Sequence, residues 1–317
     1  MRNPQMNKSC LLFLLSAAVA GSSLAAGGAS AVTDGKKPLT TVRKGLDGGK
    51  VLCLSNRGHS QMSSAVFVSP KGRVAVVDGG QYADADSLRT VLKALGGKVD
   101  FWFLTHAHED HCGALAAILE EHPDLDGISV GQLCFTFPGL DWTDRAEPSS
   151  KPHTRRFRAA LDKASPALPV RPLRKGQSFD LGDGWTFRVL NDMNLPTERL
   201  NINDTSICLS VTTGGRKWLV TGDVAVQTGR KLVAELGAEL EHEFVFMAHH
   251  GQQGADKSFY AAVKPKTAIW PTPDWLWDND CGKGPGSGPW KTNQTKCWMQ
   301  ELGVREQHVL DHDVLFD

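Results

Sequence analysis

Four residues within six positions, His106-x-His108-x-Asp110-His111, carry the most specific chemical signal in this chain. They follow the apolar run 101–104, so the cluster lies where a buried strand gives way to a helix. In an extended loop alternate side chains share a side, which lets His106 and His108 aim at one point. Asp110 and His111 sit where the chain turns helical and can aim at a second point nearby. Imidazole combined with carboxylate suits Zn²⁺, with Mn or Fe as second choices, and one or two ions per chain are expected. The plainer reading is a polar helix-entry loop, but this spacing is rare by chance. Divalent cations lower the pKa of bound water from about 15.7 toward 7, so hydrolysis is the chemistry expected, with Asp110 holding the nucleophile in place. No Gly-x-Ser-x-Gly elbow or Ser-His-Asp order appears, which disfavours covalent acyl catalysis. The run 282–286 contains Pro285 and lacks the strand–helix context of a phosphate loop.

The elements around the cluster read as two similar halves. In the first, Val-rich runs at 65–68 and 74–77 flank Ser69-Pro70-Lys71-Gly72, a strand–turn–strand signature that ends in Asp78-Gly79-Gly80. Leu88, Val91, Leu92 and Leu95 form a helical stripe stopped by Gly96-Gly97, and a second helix runs through Leu115, Ile118 and Leu119. In the second half, strands are expected at 185–190, 206–211 and 217–221, with Gly214-Gly215 as a hairpin turn. A helix follows Thr221-Gly222-Asp223, and a strand over 243–247 leads into His249-His250-Gly251, before a short helix at 259–263. Residues 137–178 are rich in Pro, show no strong strand and hold one helix near 154–163, which suggests an insertion beside the site.

These residues resemble the metallo-β-lactamase-fold hydrolases over about 50–270. The resemblance rests on Asp78 in Val-Val-Asp-Gly-Gly, the His106–His111 cluster, Asp223 in Leu-Val-Thr-Gly-Asp and His250 in His-His-Gly. The order Asn203-Asp204-Thr205-Ser206, hairpin, Thr-Gly-Asp, His-His-Gly is most similar to the branch holding competence-protein hydrolase domains and phosphorylcholine esterases. It implies an α/β (in some schemes α+β) four-layer αββα sandwich with two metals at the sheet edges. Carried over residue by residue, His106 and His108 bind one metal, Asp110, His111 and His250 the other, and Asp223 bridges. Asp78 orients the cluster without binding metal.

One departure concerns the first metal. Many members supply another histidine between the cluster and the bridging aspartate, whereas here only His122 and His153 lie in that interval, and Asn203 occupies the equivalent place. That leaves a weaker first site and keeps a single-metal enzyme open. His249 is expected to contact substrate or donate a proton while His250 ligates, with the reverse order still open. Five of the nine tryptophans fall within 270–298, and Trp270, Trp275 and Trp277 are candidates for a substrate wall, packing on the sandwich edge being the alternative.

Composition sets the outer bounds. Among 317 residues, 35 Lys+Arg balance 35 Asp+Glu, which argues against a dedicated nucleic-acid surface; the run Arg155-Arg156-Phe157-Arg158 is the one local exception. Residues 1–25 have a basic start, an apolar run and the exit Ser23-Leu24-Ala25, with a second exit at 29–31, the pattern of a signal peptide. The apolar run is shorter than the ~20 residues of a membrane span. An exported protein, periplasmic or extracellular, is expected, with a single domain over 32–317 and a Trp-rich segment 270–317. Export permits disulfides, and Cys281 and Cys297, which flank a Gly- and Pro-rich loop, are the pair considered. The leading expectation is a zinc phosphodiesterase acting on a small or cell-envelope phosphoester. The alternatives are a lactonase or β-lactamase-like hydrolase, and a non-catalytic metal-binding protein.

Overall fold

The computed structural model describes residues 49–195 and 201–317; the expected signal segment lies outside the described residues. Strands β1 (Lys50–Cys53), β2 (Ser64–Val68) and β3 (Val74–Asp78) form an antiparallel meander. The β2–β3 turn falls on Ser69-Pro70-Lys71-Gly72, closed by Gly72 N–H donating to the Ser69 carbonyl at 2.8 Å. Helix α1 (Ala85–Ala94) then leads to β4 (Lys98–Phe103), and α2 (Glu109–Glu121) to β5 (Ser129–Cys134). Helices α3 (Leu140–Ala146) and α4 (Lys151–Asp162) precede the short β6 (Val170–Arg171).

The second sheet repeats the plan. Strands β7 (Ser178–Gly182), β8 (Trp185–Val189), β9 (Leu209–Thr213) and β10 (Arg216–Val220) are antiparallel. Helix α5 (Val226–Leu236), β11 (Phe244–Phe246), α6 (Lys257–Val263) and β12 (Thr267–Trp270) follow. After α7 (Asp274–Trp277) and α8 (Thr292–Glu301), β13 (Glu306–Val309) completes a parallel set with β10, β11 and β12. Strand β14 (Val314–Phe316) crosses back to pair with β1. The sheet orders are β14-β1-β2-β3-β4-β5-β6 and β13-β12-β11-β10-β9-β8-β7.

Strands β2, β3, β11 and β12 are buried on both faces and read as continuous apolar runs, whereas β7, β8 and β9 alternate because one face is more exposed. Phe67, Phe103, Phe187 and Trp218 fill the space between the sheets. On the outer face of the first sheet Val66, Val76 and Trp102 meet Leu88, Val91 and Leu92 of α1. On the outer face of the second, Leu219, Val245 and Ala268 meet Leu232, Phe259 and Val263 of α5 and α6. The result is the four-layer αββα sandwich expected.

Several local expectations are corrected. The strand predicted at 206–211 begins only at Leu209, because residues Ile202–Thr205 form a 3-10 turn and the Asn191 amide takes the main-chain groups beside it. Asn191 Oδ1 accepts from Cys208 N–H at 2.7 Å and Nδ2 donates to the Ser206 carbonyl at 2.9 Å. The 137–178 segment holds two helices, with Pro152 tolerated in the first turn of α4. Cys281 is a free thiol hydrogen-bonded to Ser287, so the bridge to Cys297 is not formed. Among the described residues no helix is long and apolar enough to cross a membrane.

Candidate metal centre

The parallel strands deliver the chemical residues to one edge. Strand β3 ends on Asp78, β4 runs into residues 105–111, β10 into Gly222-Asp223, and β11 into the turn Ala248–Gly251. His249 and His250 therefore do not continue a strand, as the sequence had suggested. They occupy a tight turn in which both have left-handed backbones (φ 49° and 54°). Such conformations cost about 1–3 kcal/mol each and persist only where the surroundings impose them. Gly251 (φ 77°) imposes part of this turn, because a Cβ there would lie 2.2 Å from the Trp270 ring.

Two groups of donors converge around Asp223. Asp110, His111, Asp223 and His250 form one, and His106, His108 and Asp223 the other, each set having its ligand atoms within 4.8 Å of one another. In the first, His250 Nε2 lies 2.9 Å from Asp110 Oδ2 and 3.6 Å from Asp223 Oδ2, while His111 Nε2 lies 3.1 Å from Asp223 Oδ1. In the second, His106 Nε2 lies 3.1 Å from His108 Nδ1 and 3.8 Å from Asp223 Oδ2. His111 Nε2 and Asp223 Oδ2 are buried and make no hydrogen bond. Orphaned polar atoms in a dry site are costly. Here they face a mixed imidazole–carboxylate set, which fits divalent cations.

The other ring nitrogens are engaged, and this fixes which nitrogen each imidazole presents. Asp78 accepts from His111 Nδ1 at 2.8 Å and from the Thr105 N–H at 2.8 Å, so its carboxylate grips the cluster from behind. His250 Nδ1 donates to the Pro271 carbonyl at 2.7 Å. His108 Nε2 meets Glu147 Oε2 at 3.0 Å. Gln61 Nε2 donates to Asp110 Oδ2 at 3.1 Å and is itself held by Gln252. Thr105, Glu147, Gln61 and Gln252 were not singled out from sequence. Only Thr105, adjacent to the cluster, carried any local signal.

Electrostatics follow the same division. Burial works against charge on His250, yet the Asp223 and Asp110 carboxylates prevail and raise it to about 9. Burial also opposes charge on His111, and the surrounding carboxylates, Asp223 foremost, again win and raise it. Burial and the neighbouring His111 hold His106 well below its usual value. Burial raises both carboxylates, but the surrounding imidazoles, His111 foremost, bring Asp110 and Asp223 below the ordinary range. Burial lowers His249. Its Nε2 sits 3.3 Å from Asn203 Nδ2 and 3.9 Å from Asp223 Oδ2, which places both side chains beside the shared carboxylate.

An open cleft of about 570 Å³ leads to this centre, lined by Gln61, His108, Glu147, His153, His249 and Trp275 among others. Of the three tryptophans expected as a substrate wall, only Trp275 reaches it, with its indole N–H donating to the His59 carbonyl at 2.6 Å. Trp270 is fully buried and meets Trp277 edge-on at 5.2 Å, beneath the His249–His250 turn. The Trp277 ring carries the Lys296 ammonium at 3.6 Å. The basic run is spent internally. Arg155 forks onto Asp144, Arg156 onto Glu120, Phe157 is buried and Arg158 donates to the Pro138 carbonyl.

Known proteins with these features fall in one family. The profile of the Metallo-beta-lactamase superfamily matches residues 61–269. The chain is 25% identical over 242 residues to ComE operon protein 3 of Bacillus subtilis (strain 168), covering 68% of this chain and 28% of that protein. It is 36% identical over 90 residues to competence protein ComA of Neisseria gonorrhoeae, covering 27% of this chain and 12% of that protein. The chain thus spans under a third of either relative. Among solved structures, the fold is similar to the metallo-beta-lactamase fold protein YhfI from Bacillus subtilis (TM-score 0.52, 12% identity, 86% of this chain and 100% of that one). It is also similar to CmlA, a diiron beta-hydroxylase from Streptomyces venezuelae (TM-score 0.53, 13% identity, 85% of this chain and 54% of that one). At such identity these two show the fold. With the profile match covering most of the sandwich, the chain belongs to the metallo-beta-lactamase superfamily.

Proposed function

We propose that the chain is an exported zinc-dependent hydrolase of phosphoesters, with a phosphodiester in a small or cell-envelope molecule as substrate. The observation that carries this reading is the pairing of Asn203 and His249 over Asp223 at the floor of a polar cleft. A third imidazole, usual in lactonases of this fold, is replaced by an amide. The cleft walls are mostly polar and acidic, with Ser60, Gln61, Asn203 and the imidazoles of His108, His153 and His249 among them and Trp275 as the one large apolar ring. A cleft this polar offers the apolar chain of an acyl lactone little surface to bury.

His106, His108 and Asp223 would hold one cation, and Asp110, His111, Asp223 and His250 the other. When bound, such ions supply a water deprotonated near neutral pH and a Lewis acid for the developing charge. Asp78 and the Pro271 carbonyl keep the imidazoles of His111 and His250 turned with Nε2 inward. Asp110, fixed by Gln61, is placed to steer the nucleophile. Burial disfavours charge on His249, which suits it to a hydrogen bond with a substrate oxygen.

Cleft charge narrows the substrate further. The lining includes Glu109, Asp110 and Glu147 and no Lys or Arg among the described residues. Tracking a nucleic-acid backbone requires basic side chains along the groove. The competence relatives notwithstanding, a substrate with a single phosphoester group and a neutral or cationic remainder fits better. Metal-loaded protein assayed beside its stripped form with bis-p-nitrophenyl phosphate, nitrocefin, an acyl lactone and single-stranded DNA tests this. Turnover of the phosphodiester above the others is expected; faster cleavage of nitrocefin or of DNA overturns it.

A further inference from the structure

The His106–His108–Asp223 group is one imidazole short, and its partly exposed member is His108, at the N-cap of α2. His108 Nδ1 faces His106 Nε2 at 3.1 Å while its Nε2 meets Glu147 Oε2 at 3.0 Å. Glu147 comes from the excursion between β5 and β7, in the link between α3 and the turn Pro148–Ser150. It is clamped there. Its Oε1 accepts from Ser150 Oγ at 2.8 Å, and its N–H donates to the Thr143 carbonyl at 2.9 Å. A carboxylate on one imidazole nitrogen fixes the ring and makes the other nitrogen a better ligand. The equivalent holders of His111 and His250, Asp78 and the Pro271 carbonyl, lie at the ends of sheet strands β3 and β12. For His108 the holder is borrowed from the Pro-rich segment.

Resting on the metal-centre reading above, we infer that Glu147 is the positioning residue of the His106–His108–Asp223 site, holding His108 by Nε2 so that Nδ1 faces the cation and offsetting the absent third imidazole. The Pro-rich segment then contributes to metal retention at one site and not at the other. Its displacement releases one ion while the buried site keeps its own.

The test is zinc titration of the stripped full-length chain against a chromophoric chelator, for the wild type, Glu147→Gln, Glu147→Ala and His108→Ala. In Glu147→Ala one site weakens by about 10- to 100-fold and the other keeps its affinity, the range expected for loss of an outer holder. Glu147→Gln, nearly isosteric, weakens the same site by less. His108→Ala removes that site, and adding Glu147→Ala to it changes nothing further. Melting temperatures of the zinc-free variants stay at the wild-type value. Unchanged zinc affinities in Glu147→Ala overturn the inference, as does equal weakening of every site, which marks a structural role. A wild-type chain that takes up no zinc overturns the metal-centre reading itself and this inference with it, and shows as much before any variant is compared.

Discussion

The two donor groups share Asp223 yet are built differently. Asp110 and His111 open α2 and His250 sits in the turn after β11; all three are buried, and His111 and His250 are held from behind by Asp78 at the end of β3 and the Pro271 carbonyl just past β12. His106 and His108 come from one short loop, His108 borders the cleft, and its support reaches in from an excursion of the chain. One group is finished by the fold. The other is left open toward whatever enters. The contrast suggests a division of labour, with retention on the buried side and substrate on the exposed side, and it can be broken at several points.

The largest effect is expected where the groups meet. Asp223→Ala removes the shared carboxylate, so phosphodiester turnover falls by at least about 10³-fold, the upper range for one electrostatic contact, and elemental analysis finds both ions depleted. Loss of one ion alone would mean that the groups are independent. Next comes the turn that aims His250. Gly251→Ala forces a left-handed alanine against Trp270, costing about 1–3 kcal/mol in backbone strain besides the clash. Urea unfolding should show the destabilisation, and metal analysis should show the buried site lost first.

A third prediction uses protons. In metal-free protein His250, raised from 6.5 to about 9, carries a stabilising charge that is fully present below pH 6.5 and lost as pH climbs through about 9. The stripped protein should therefore melt at a lower temperature at pH 10 than at pH 7. Zinc must displace the protons that His250 and His111 carry, so apparent affinity at the buried group rises by at least about tenfold per pH unit on the way to pH 9, with proton release measurable by calorimetry in two buffers. A flat profile would place the tightly held ion in the other group. Asp78→Ala should weaken the same buried site by about tenfold or somewhat more, read by chelator competition. The smallest effect is at the cleft mouth. One aromatic contact is worth about 0.5–1.5 kcal/mol, so Trp275→Ala raises KM about two- to tenfold and leaves metal content unchanged.

What the sequence made legible was local. The His106–His111 cluster, Asp223 and His250 stand in short motifs at strand ends, and central strands such as β2 and β3 declare their double-sided burial by unbroken apolar runs. Glu147 was invisible because nothing in its neighbourhood distinguishes it; only the path of α3 and α4 brings it to His108. The Arg155–Arg158 run looked available because its partners Asp144 and Glu120 sit on other helices, which only the packing of α3 and α2 against α4 brings within reach. Tryptophan identity does not say which face of an element is wet, so Trp270 and Trp277 were grouped with Trp275 although they pack beneath the turn. Strand β13, Glu306-Gln307-His308-Val309, is too polar to announce itself, and its pairing with β12 is set by tertiary packing.

Strand β14 has a consequence for how this domain comes into being. Its three residues zip onto Val51, Leu52 and Cys53, some 260 positions upstream, and Arg57 clasps Asp313 alongside. A nascent chain still lacking residue 314 has β1 as a bare rim, an apolar template for aggregation. Final locking of this rim therefore awaits the arrival of residues 314–316, and until then β1 has a partner on one side only.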